Sequence, residues 1–314
     1  MTDPVKPLAV SLGDPAGVGP EIIAAAWSRR AELGLPPFVV IGGAMIMGRA
    51  SAEGIQCTEG PDGTCQPGQP DAASARIALQ SLELAIAGAI AGEFSGVVTA
   101  PVAKSAIAEV CPGFIGQTEL LADMCNLDRQ SSVMMLAGPS LKAVPLTVHC
   151  ALSDVPGLIT QDLIVHRTRI VARALLTDFG ITAPRIAIAG LNPHAGEDGR
   201  MGREEMEVIA PAIARLRTEG IDATGPHPAD TLFAPHKRST YDAAIAMYHD
   251  QALVPLKALD FDEGVNITLG LPIVRTSPDH GTAFDIAGNG IARADAMIAA
   301  IRMAGAVAAR RANG

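Results

Sequence analysis

Aromatic and charged side chains are scarce in this sequence, which limits the core it can build and the partners it can bind. Aromatic residues make up 3% and charged residues 18% of the 314 residues, whereas 48% are hydrophobic. The core must therefore consist of Ala, Val, Ile and Leu, as in layered α/β proteins. The net charge is −9 and there is no run of Lys or Arg, so we predict no nucleic-acid partner.

Long apolar runs and cysteine motifs are also missing. No apolar stretch reaches the roughly 20 residues that span a bilayer, and residues 1–14 lack the basic and apolar regions of a signal peptide. The five cysteines are scattered and form no C-x-x-C pair, which disfavours a zinc ribbon or a disulfide framework. The sequence therefore predicts a cytoplasmic protein with reduced thiols and no membrane partner.

Short apolar runs alternate with helical patterns along the whole chain. The predicted strands are residues 8–12, 37–43, 95–100, 133–138, 141–148, 185–192, 243–250 and 264–271. The predicted helices are residues 20–33, 73–91, 160–178, 203–218 and 292–310. This alternation is typical of α/β proteins with a largely parallel sheet. Residues 53–71, rich in Gly, Pro and Asp, are predicted to form an exposed excursion.

Four of the seven histidines fall at or just beyond the carboxyl ends of predicted strands. They are His149, His194, His249 and His280. Ligands of open α/β sheets bind at these ends, and three imidazoles with substrate oxygens would suit Zn²⁺ or another divalent ion. The alternative is that each histidine only caps a strand or bonds a loop carbonyl. We interpret the other three histidines as structural.

Charged and amide side chains accompany these histidines. Asp230 and Asp250 are candidates to orient a metal-bound imidazole or to accept a proton. Each could equally be a solvated aspartate, and Asp250 could cap a following helix. Lys257, Asn266 and Arg275 lie close together in sequence. On adjacent strand ends they would form a plausible clamp for phosphate or carboxylate. The alternative is three unrelated surface side chains, but Arg275 directly follows GLPIV (residues 270–274), which we predict to be an apolar strand.

A glycine-rich turn, GDPAGVG, follows the first predicted strand and precedes a helix that begins at Pro20. Helix N-termini attract anions, so this turn could hold a phosphate. Its spacing matches neither the dinucleotide-binding G-x-G-x-x-G motif nor the P-loop. The turn alone is therefore weak evidence for a phosphate site.

Several long segments of the chain resemble the 4-hydroxythreonine-4-phosphate dehydrogenase family of vitamin B6 biosynthesis. They are SLGDPAGVGPEI, GQTELLAD, GLNPHAGEDGRMGREE, GPHPADTLF, AMYHDQALVPLK and GVNITLGLPIVRTSPDHGTAFDIAG. The resemblance implies an α/β fold of the isocitrate and isopropylmalate dehydrogenase type. It would have two α/β/α domains, residues 1–112 plus 280–314 and residues 113–279, with the active-site cleft between them.

The resemblance also implies a metal and a substrate site. The implied ligands of a divalent metal (Zn²⁺, Mg²⁺ or Co²⁺) are His149, His194 and His249, shared between the two subunits of a homodimer at their interface. The implied substrate-binding residues are Gln117, Thr118, Lys257, Asn266 and Arg275. Asp230 matches the family's acidic residue near the substrate, and we take it with Lys257 as the catalytic candidates.

A cofactor and a reaction follow from the same resemblance. The candidate cofactor-binding residues are Gly13, Asp14, His280, Gly281, Thr282 and Asp285. A carboxylate at Asp285 can accept bonds from ribose hydroxyls but would repel a 2′-phosphate, which favours NAD over NADP. The implied reaction is oxidation of 4-phosphohydroxy-L-threonine at C3, followed by decarboxylation to 3-amino-2-oxopropyl phosphate.

One position departs from the family pattern. The family commonly has G-H-T-E where this chain has Gly116, Gln117, Thr118 and Glu119. A glutamine can donate and accept hydrogen bonds, but it cannot carry a positive charge or move a proton at neutral pH. A sister dehydrogenase acting on 4-phosphothreonate, 4-phosphoerythronate or a dihydrodiol carboxylate is therefore an alternative. Phosphate acyltransferases of the same general fold and a non-catalytic metal-binding protein are more remote alternatives.

Overall fold

The computed structural model describes residues 6–50 and 52–313, which fold into ten strands and twelve α-helices. The strands are β1 (Leu8–Ser11), β2 (Phe38–Ile41), β3 (Val97–Thr99), β4 (Val133–Ala137), β5 (Lys142–Pro145), β6 (Arg185–Ala189), β7 (Asp222–His227), β8 (Ala243–Ala246), β9 (Val265–Leu269) and β10 (Arg275–Pro278). The helices are α1 (Gly19–Ser28), α2 (Ala44–Arg49), α3 (Ala72–Ile90), α4 (Lys104–Val110), α5 (Gln117–Met124), α6 (Val155–Leu158), α7 (Gln161–Thr177), α8 (Ala210–Thr218), α9 (Ala229–Leu232), α10 (Pro235–Arg238), α11 (His249–Asp260) and α12 (Asp295–Asn313). The predicted α/β class is confirmed.

The chain divides into two compact units. The first runs to Ser132 and resumes at Leu271–Ala312, and the second covers Val133–Gly270. The domain boundaries that we predicted from the sequence, at 112/113 and 279/280, stay a prediction.

A parallel sheet forms the centre of the first unit, with the strand order β2-β1-β3-β10. Val10 lies opposite Val40 on one side and Val98 on the other. Helix α3 covers these strands, and its buried Leu82 and Ile86 pack in one cluster with strand residues. A capping box starts α3, since the Asp71 carboxylate accepts a 2.7 Å hydrogen bond from the Ser74 N–H.

Helix α3 is also the described helix that by length and apolar composition could cross a membrane. Of its most apolar 18-residue window, 56% is buried. Burial against β1, β2 and β3 is typical of the core helix of a folded domain.

The second unit has a mixed sheet with the strand order β9-β4-β5-β8-β6-β7. Strand β4 is antiparallel to both β5 and β9, whereas β5, β8, β6 and β7 pair in parallel. The largely parallel sheet that we predicted therefore holds for all but β4. The carboxyl ends of β5, β8 and β6 meet at one edge of this sheet.

Three parts of the sequence-based interpretation were wrong. The strand predicted over residues 243–250 ends at Ala246, and His249 begins helix α11. Helix α11 contains Pro255 and buries Ala252 and Leu256 at helical spacing. Lys257 accordingly lies on a helix and not at a strand end.

The third error concerns Arg275. It begins strand β10 and does not follow a strand, because residues 270–274 are not in regular structure. Pro272 in this stretch lacks the N–H that would continue a sheet ladder.

An ion pair joins the starts of β6 and β8. Asp242 accepts hydrogen bonds from the Arg185 backbone N–H at 2.8 Å, Nε at 3.1 Å and Nη2 at 3.0 Å. Burial alone would raise the pKa of Asp242, but these hydrogen bonds outweigh it and hold the pKa below its usual value.

A carboxylate with a lowered pKa stabilises the fold above its unfolded pKa of about 4, and this stability is lost as pH falls through the folded value. Asp242→Asn should therefore lower the free energy of unfolding at pH 7, with a difference from wild type that shrinks below pH of about 4. Urea unfolding at both pH values measures this. A pH-independent difference would show that the charge contributes nothing.

Candidate active site

Two of the predicted metal-binding histidines lie side by side in the second unit. His149 follows β5 and His249 follows β8, which are adjacent parallel strands with Pro145 paired to Ala246. The two imidazole centroids are 5.8 Å apart. Neighbouring parallel strands bring their carboxyl ends together, so the sheet explains why residues 100 positions apart in sequence meet.

The ring orientation of His249 is fixed by its neighbour. Its Nδ1 lies 2.7 Å from Oδ1 of Asp250, and 36% of the His249 side chain is exposed. A carboxylate only accepts, so Nδ1 carries the hydrogen, and in the neutral ring the lone pair is on Nε2. In many metal sites a carboxylate accepts the second ring N–H of a metal-binding imidazole and so orients it. This is one of the two roles considered for Asp250.

His149 and His194 share an unusual backbone conformation. Both lie in exposed loops with left-handed φ values, 50° for His149 and 52° for His194. Non-glycine residues adopt this region at a cost, and such residues cluster at functional sites. His194 follows β6, the strand next to β8.

Within residues 6–50 and 52–313, no three His, Cys, Asp or Glu side chains form a metal-binding group. A single chain thus offers the His149–His249 pair, while His194 remains separate. The donors suit a borderline divalent ion, since neutral imidazole is its common ligand. The three-histidine centre, which the family resemblance divides between two subunits, stays a prediction.

The other candidates of the second unit differ in exposure. Asp230 is exposed on the short helix α9, and Lys257 is half-buried on α11. Asn266 lies within β9, opposite Leu136 of β4. Its Oδ1 is buried and accepts no hydrogen bond from the described residues, and an unsatisfied buried polar atom of this kind is uncommon in folded proteins.

Arg275 is the most buried of the predicted substrate-binding residues, with 4% of its surface exposed. Its Nη2 donates to Thr99 Oγ1 at 2.7 Å and to Gln117 Oε1 at 2.6 Å. Arg275 pairs with Val97 on β3, and Thr99 lies two residues further on the same face. Thr99 was not predicted, and only this sheet register could have identified it.

Burial lowers the pKa of Arg275 to about 10, so its guanidinium is cationic at neutral pH. Burial penalises the charge, and an anionic ligand would stabilise it. Because the guanidinium only donates, Gln117 must present Oε1 to it and direct its amide N–H groups elsewhere. Thr118 follows in the first turn of α5 and is half-buried. The first unit thus contains three of the five predicted substrate-binding residues, Gln117, Thr118 and Arg275.

The segment that contains the predicted cofactor-binding residues His280, Gly281, Thr282 and Asp285 is anchored by helix α1. The Val18 N–H donates to Thr282 O at 2.9 Å, and the Glu21 carboxylate accepts hydrogen bonds from the N–H groups of Gly288 and Gly290. His280, Gly281 and Asp285 are exposed on the loop. Glu21 was not singled out from the sequence, where an acidic residue in a first helical turn looks like an ordinary dipole contact.

Gly13 and Asp14 are buried beneath this region. At Gly13, with φ of 71°, a Cβ would lie 2.6 Å from Pro101 O, so only glycine fits. The Asp14 carboxylate accepts a 3.0 Å hydrogen bond from the Ala16 N–H, and burial raises its pKa. These contacts shape the glycine-rich turn, and a direct role in cofactor binding stays a prediction.

The chain matches a known protein family over most of its length. The profile of the family described as "Pyridoxal phosphate biosynthetic protein PdxA" matches residues 40–304. A 4-hydroxythreonine-4-phosphate dehydrogenase from Erythrobacter litoralis is 59% identical, with full coverage of both chains. The crystal structure of a 4-hydroxythreonine-4-phosphate dehydrogenase from Klebsiella pneumoniae has a TM-score of 0.86 at 36% identity, covering 98% of this chain and 99% of that one.

A related structure bears a different name. The terephthalate 1,2-cis-dihydrodiol dehydrogenase from Burkholderia xenovorans is 27% identical with a TM-score of 0.66, over 96% of this chain and 98% of that chain. The fold and the named relatives together define an α/β dehydrogenase. More particularly, the chain belongs to the PdxA family of pyridoxal phosphate biosynthetic proteins.

Proposed function

We propose that the protein oxidises 4-phosphohydroxy-L-threonine at C3 with NAD and a divalent metal ion, and that loss of CO₂ then gives 3-amino-2-oxopropyl phosphate. The observation that carries this is the pair of imidazoles, His149 and His249, at the carboxyl ends of two adjacent strands in a chain of this family. The protein would act in the cytoplasm as a homodimer whose subunits share the site.

The metal would be held by His149, His249 and His194. When bound, it supplies a Lewis acid that stabilises negative charge on the substrate's C3 oxygen. The contact between Asp250 Oδ1 and His249 Nδ1 leaves Nε2 as the donor atom and keeps the ring in place during turnover.

The anionic groups of the substrate would be bound by Arg275 and Lys257. The Arg275 guanidinium is preorganised by Thr99 and Gln117, so little side-chain entropy is lost when it meets a phosphate or carboxylate. Asn266 would join this clamp through its side-chain amide.

The proton of the C3 hydroxyl would leave to Asp230 or to a water beside it. Asp230 is exposed on α9, which lets it pass the proton on to solvent. NAD, when bound, accepts the hydride. His280, Gly281, Thr282 and Asp285 would bind its adenosine part, and the Asp285 carboxylate would accept bonds from ribose hydroxyls while repelling a 2′-phosphate.

A second candidate function is favoured by Gln117. With Oε1 held by Arg275, this side chain offers neutral N–H donors where the family commonly offers a histidine. A sister substrate without the amino group, such as 4-phosphothreonate, is therefore the main alternative. The dehydrogenase names of the relatives disfavour the acyltransferase.

The two substrates can be separated by measuring NADH formation with 4-phosphohydroxy-L-threonine and with 4-phosphothreonate at equal concentrations. We expect kcat/KM to be at least about tenfold higher for the amino substrate, since a lost hydrogen bond to a charged group costs about 1.5–3 kcal/mol. Gln117→His should change both values by similar factors. Preference for the threonate in the wild type would establish the alternative, and no NADH with either would contradict both.

A further inference from the structure

Glu205 is a buried acid to which the proposed reaction assigns no role. It is 2% exposed and begins a π-helical turn, Glu205–Ile209, that continues into α8. Burying a carboxylate is costly unless hydrogen bonds satisfy it, and π-helical turns are frequent at functional sites. Its position therefore requires an explanation beyond core packing.

The Glu205 carboxylate is bonded to the loop that carries His194. Oε1 accepts a 2.7 Å hydrogen bond from the Asn192 backbone N–H, and Oε2 accepts a 3.0 Å bond from Asn192 Nδ2. The same Nδ2 donates to Glu204 Oε2 at 2.7 Å. Asn192 lies two residues before His194, so both of its donor groups are tied to the start of this helix.

The loop also wraps closely around the carboxylate. A Cβ added at Gly196 would lie 2.6 Å from Glu205 Oε2, and one at Gly190 would lie 3.1 Å from Oε1. Gly196 is in the left-handed region with φ of 79°. These glycines allow the backbone on either side of His194 to approach Glu205 directly.

The loop that Glu205 contacts has an unfavourable backbone conformation. His194, Ala195, Glu197 and Asp198 all have left-handed φ values, between 43° and 56°. Such residues persist only where surrounding contacts enforce them. Both Asn192 bonds to the buried carboxylate are contacts of this kind, because they fix the chain where it enters the loop.

We propose that Glu205 is a positioning residue, whose carboxylate holds the 192–202 loop in the conformation that presents His194. The part of this inference that concerns metal binding rests on the proposed function. The other part, that one buried carboxylate organises the loop, does not depend on the proposed function.

Glu205→Gln tests the proposal, because a glutamine keeps the shape but puts an N–H₂ donor against one of the two Asn192 donors. Glu207→Gln is the matched control, since Glu207 lies on the same turn with 58% of its side chain exposed and pairs only with Arg203 at 2.5 Å among the described contacts. Hydrogen exchange of the metal-free protein should show lost amide protection in residues 192–202 for Glu205→Gln and none for Glu207→Gln. Unchanged protection in Glu205→Gln would overturn the proposal.

Co²⁺ binding, followed by calorimetry and by the visible absorption of the ion, supplies a second readout. Glu205→Gln should weaken the affinity by about 10- to 100-fold, as losses outside the ligand shell do, while Glu207→Gln should match wild type. Equal affinity in both variants would contradict the proposal. If wild type itself binds no Co²⁺, the metal function fails, and hydrogen exchange alone decides the role of Glu205.

Asn192→Ala covers the case in which Glu205→Gln fails to fold, since it removes the side-chain amide but keeps the backbone N–H that bonds Glu205. It should give the same local loss of protection in residues 192–202. Where both variants fold, their effects should be less than additive in the double variant, because they remove one shared contact. Full additivity would show that Glu205 acts elsewhere.

Discussion

His194→Ala is expected to lower kcat/KM by at least about 10³-fold while the protein stays folded, because a Lewis acid at the reacting oxygen contributes several kcal/mol. His194 is exposed in its loop, so the imidazole can be removed without leaving a cavity in the core. NADH formation and the circular dichroism spectrum of the same preparation measure the two effects.

His236→Ala is the matched control for this variant. His236 is also exposed in the second unit, on the short helix α10, and the proposed reaction does not use it. It should keep wild-type kcat/KM. If His194→Ala retained wild-type activity as well, His194 would not be a metal ligand.

The second large effect is expected at Arg275. Arg275→Ala should lower kcat/KM by about 10²- to 10³-fold, since truncating one member of a buried charge pair costs about 2–5 kcal/mol. Most of the change should appear in KM, because the guanidinium binds the substrate's anion in the ground state as well. Arg275→Lys should be intermediate, as it keeps the charge but loses the planar fork.

Arg129→Gln controls for the loss of a positive charge in the same unit. Arg129 is 49% exposed and pairs with Asp123 at 2.7 Å on the surface, so its removal should leave kcat/KM unchanged. The melting temperature of Arg275→Ala is needed as well, because Thr99 and Gln117 lose their donor. A folded Arg275→Ala enzyme with normal KM would exclude the anion-binding role.

Helices and strands could be predicted where the sequence has a clear apolar pattern. Strand β4 and helix α3 were identified from their apolar patterns, and α3 also has Asp71 as a clear N-terminal cap. Helix α11 was missed because residues 243–250 were predicted to be one strand. The packing of Leu253 and Leu256 in the core stabilises a helix from His249 despite Pro255. Local sequence cannot report packing that depends on distant strands.

The candidate site was predictable to a smaller extent. The position of His249 after a strand was visible in the sequence, but its proximity to His149 depends on β5 and β8 being neighbours. The contacts of Arg275 with Thr99 and Gln117 likewise join residues far apart in the chain. Strand order, which sequence patterns do not contain, determines which of these side chains meet.

The central claim is that imidazoles of this chain hold a divalent cation without which the alcohol is not oxidised. Enzyme treated with a chelator, freed of it and checked for residual metal by mass spectrometry should form no NADH from 4-phosphohydroxy-L-threonine. Adding Zn²⁺, Mg²⁺ or Co²⁺ should restore NADH formation by the metal-depleted wild-type enzyme but should not produce it in His194→Ala. Undiminished NADH formation by the metal-depleted enzyme would contradict the account.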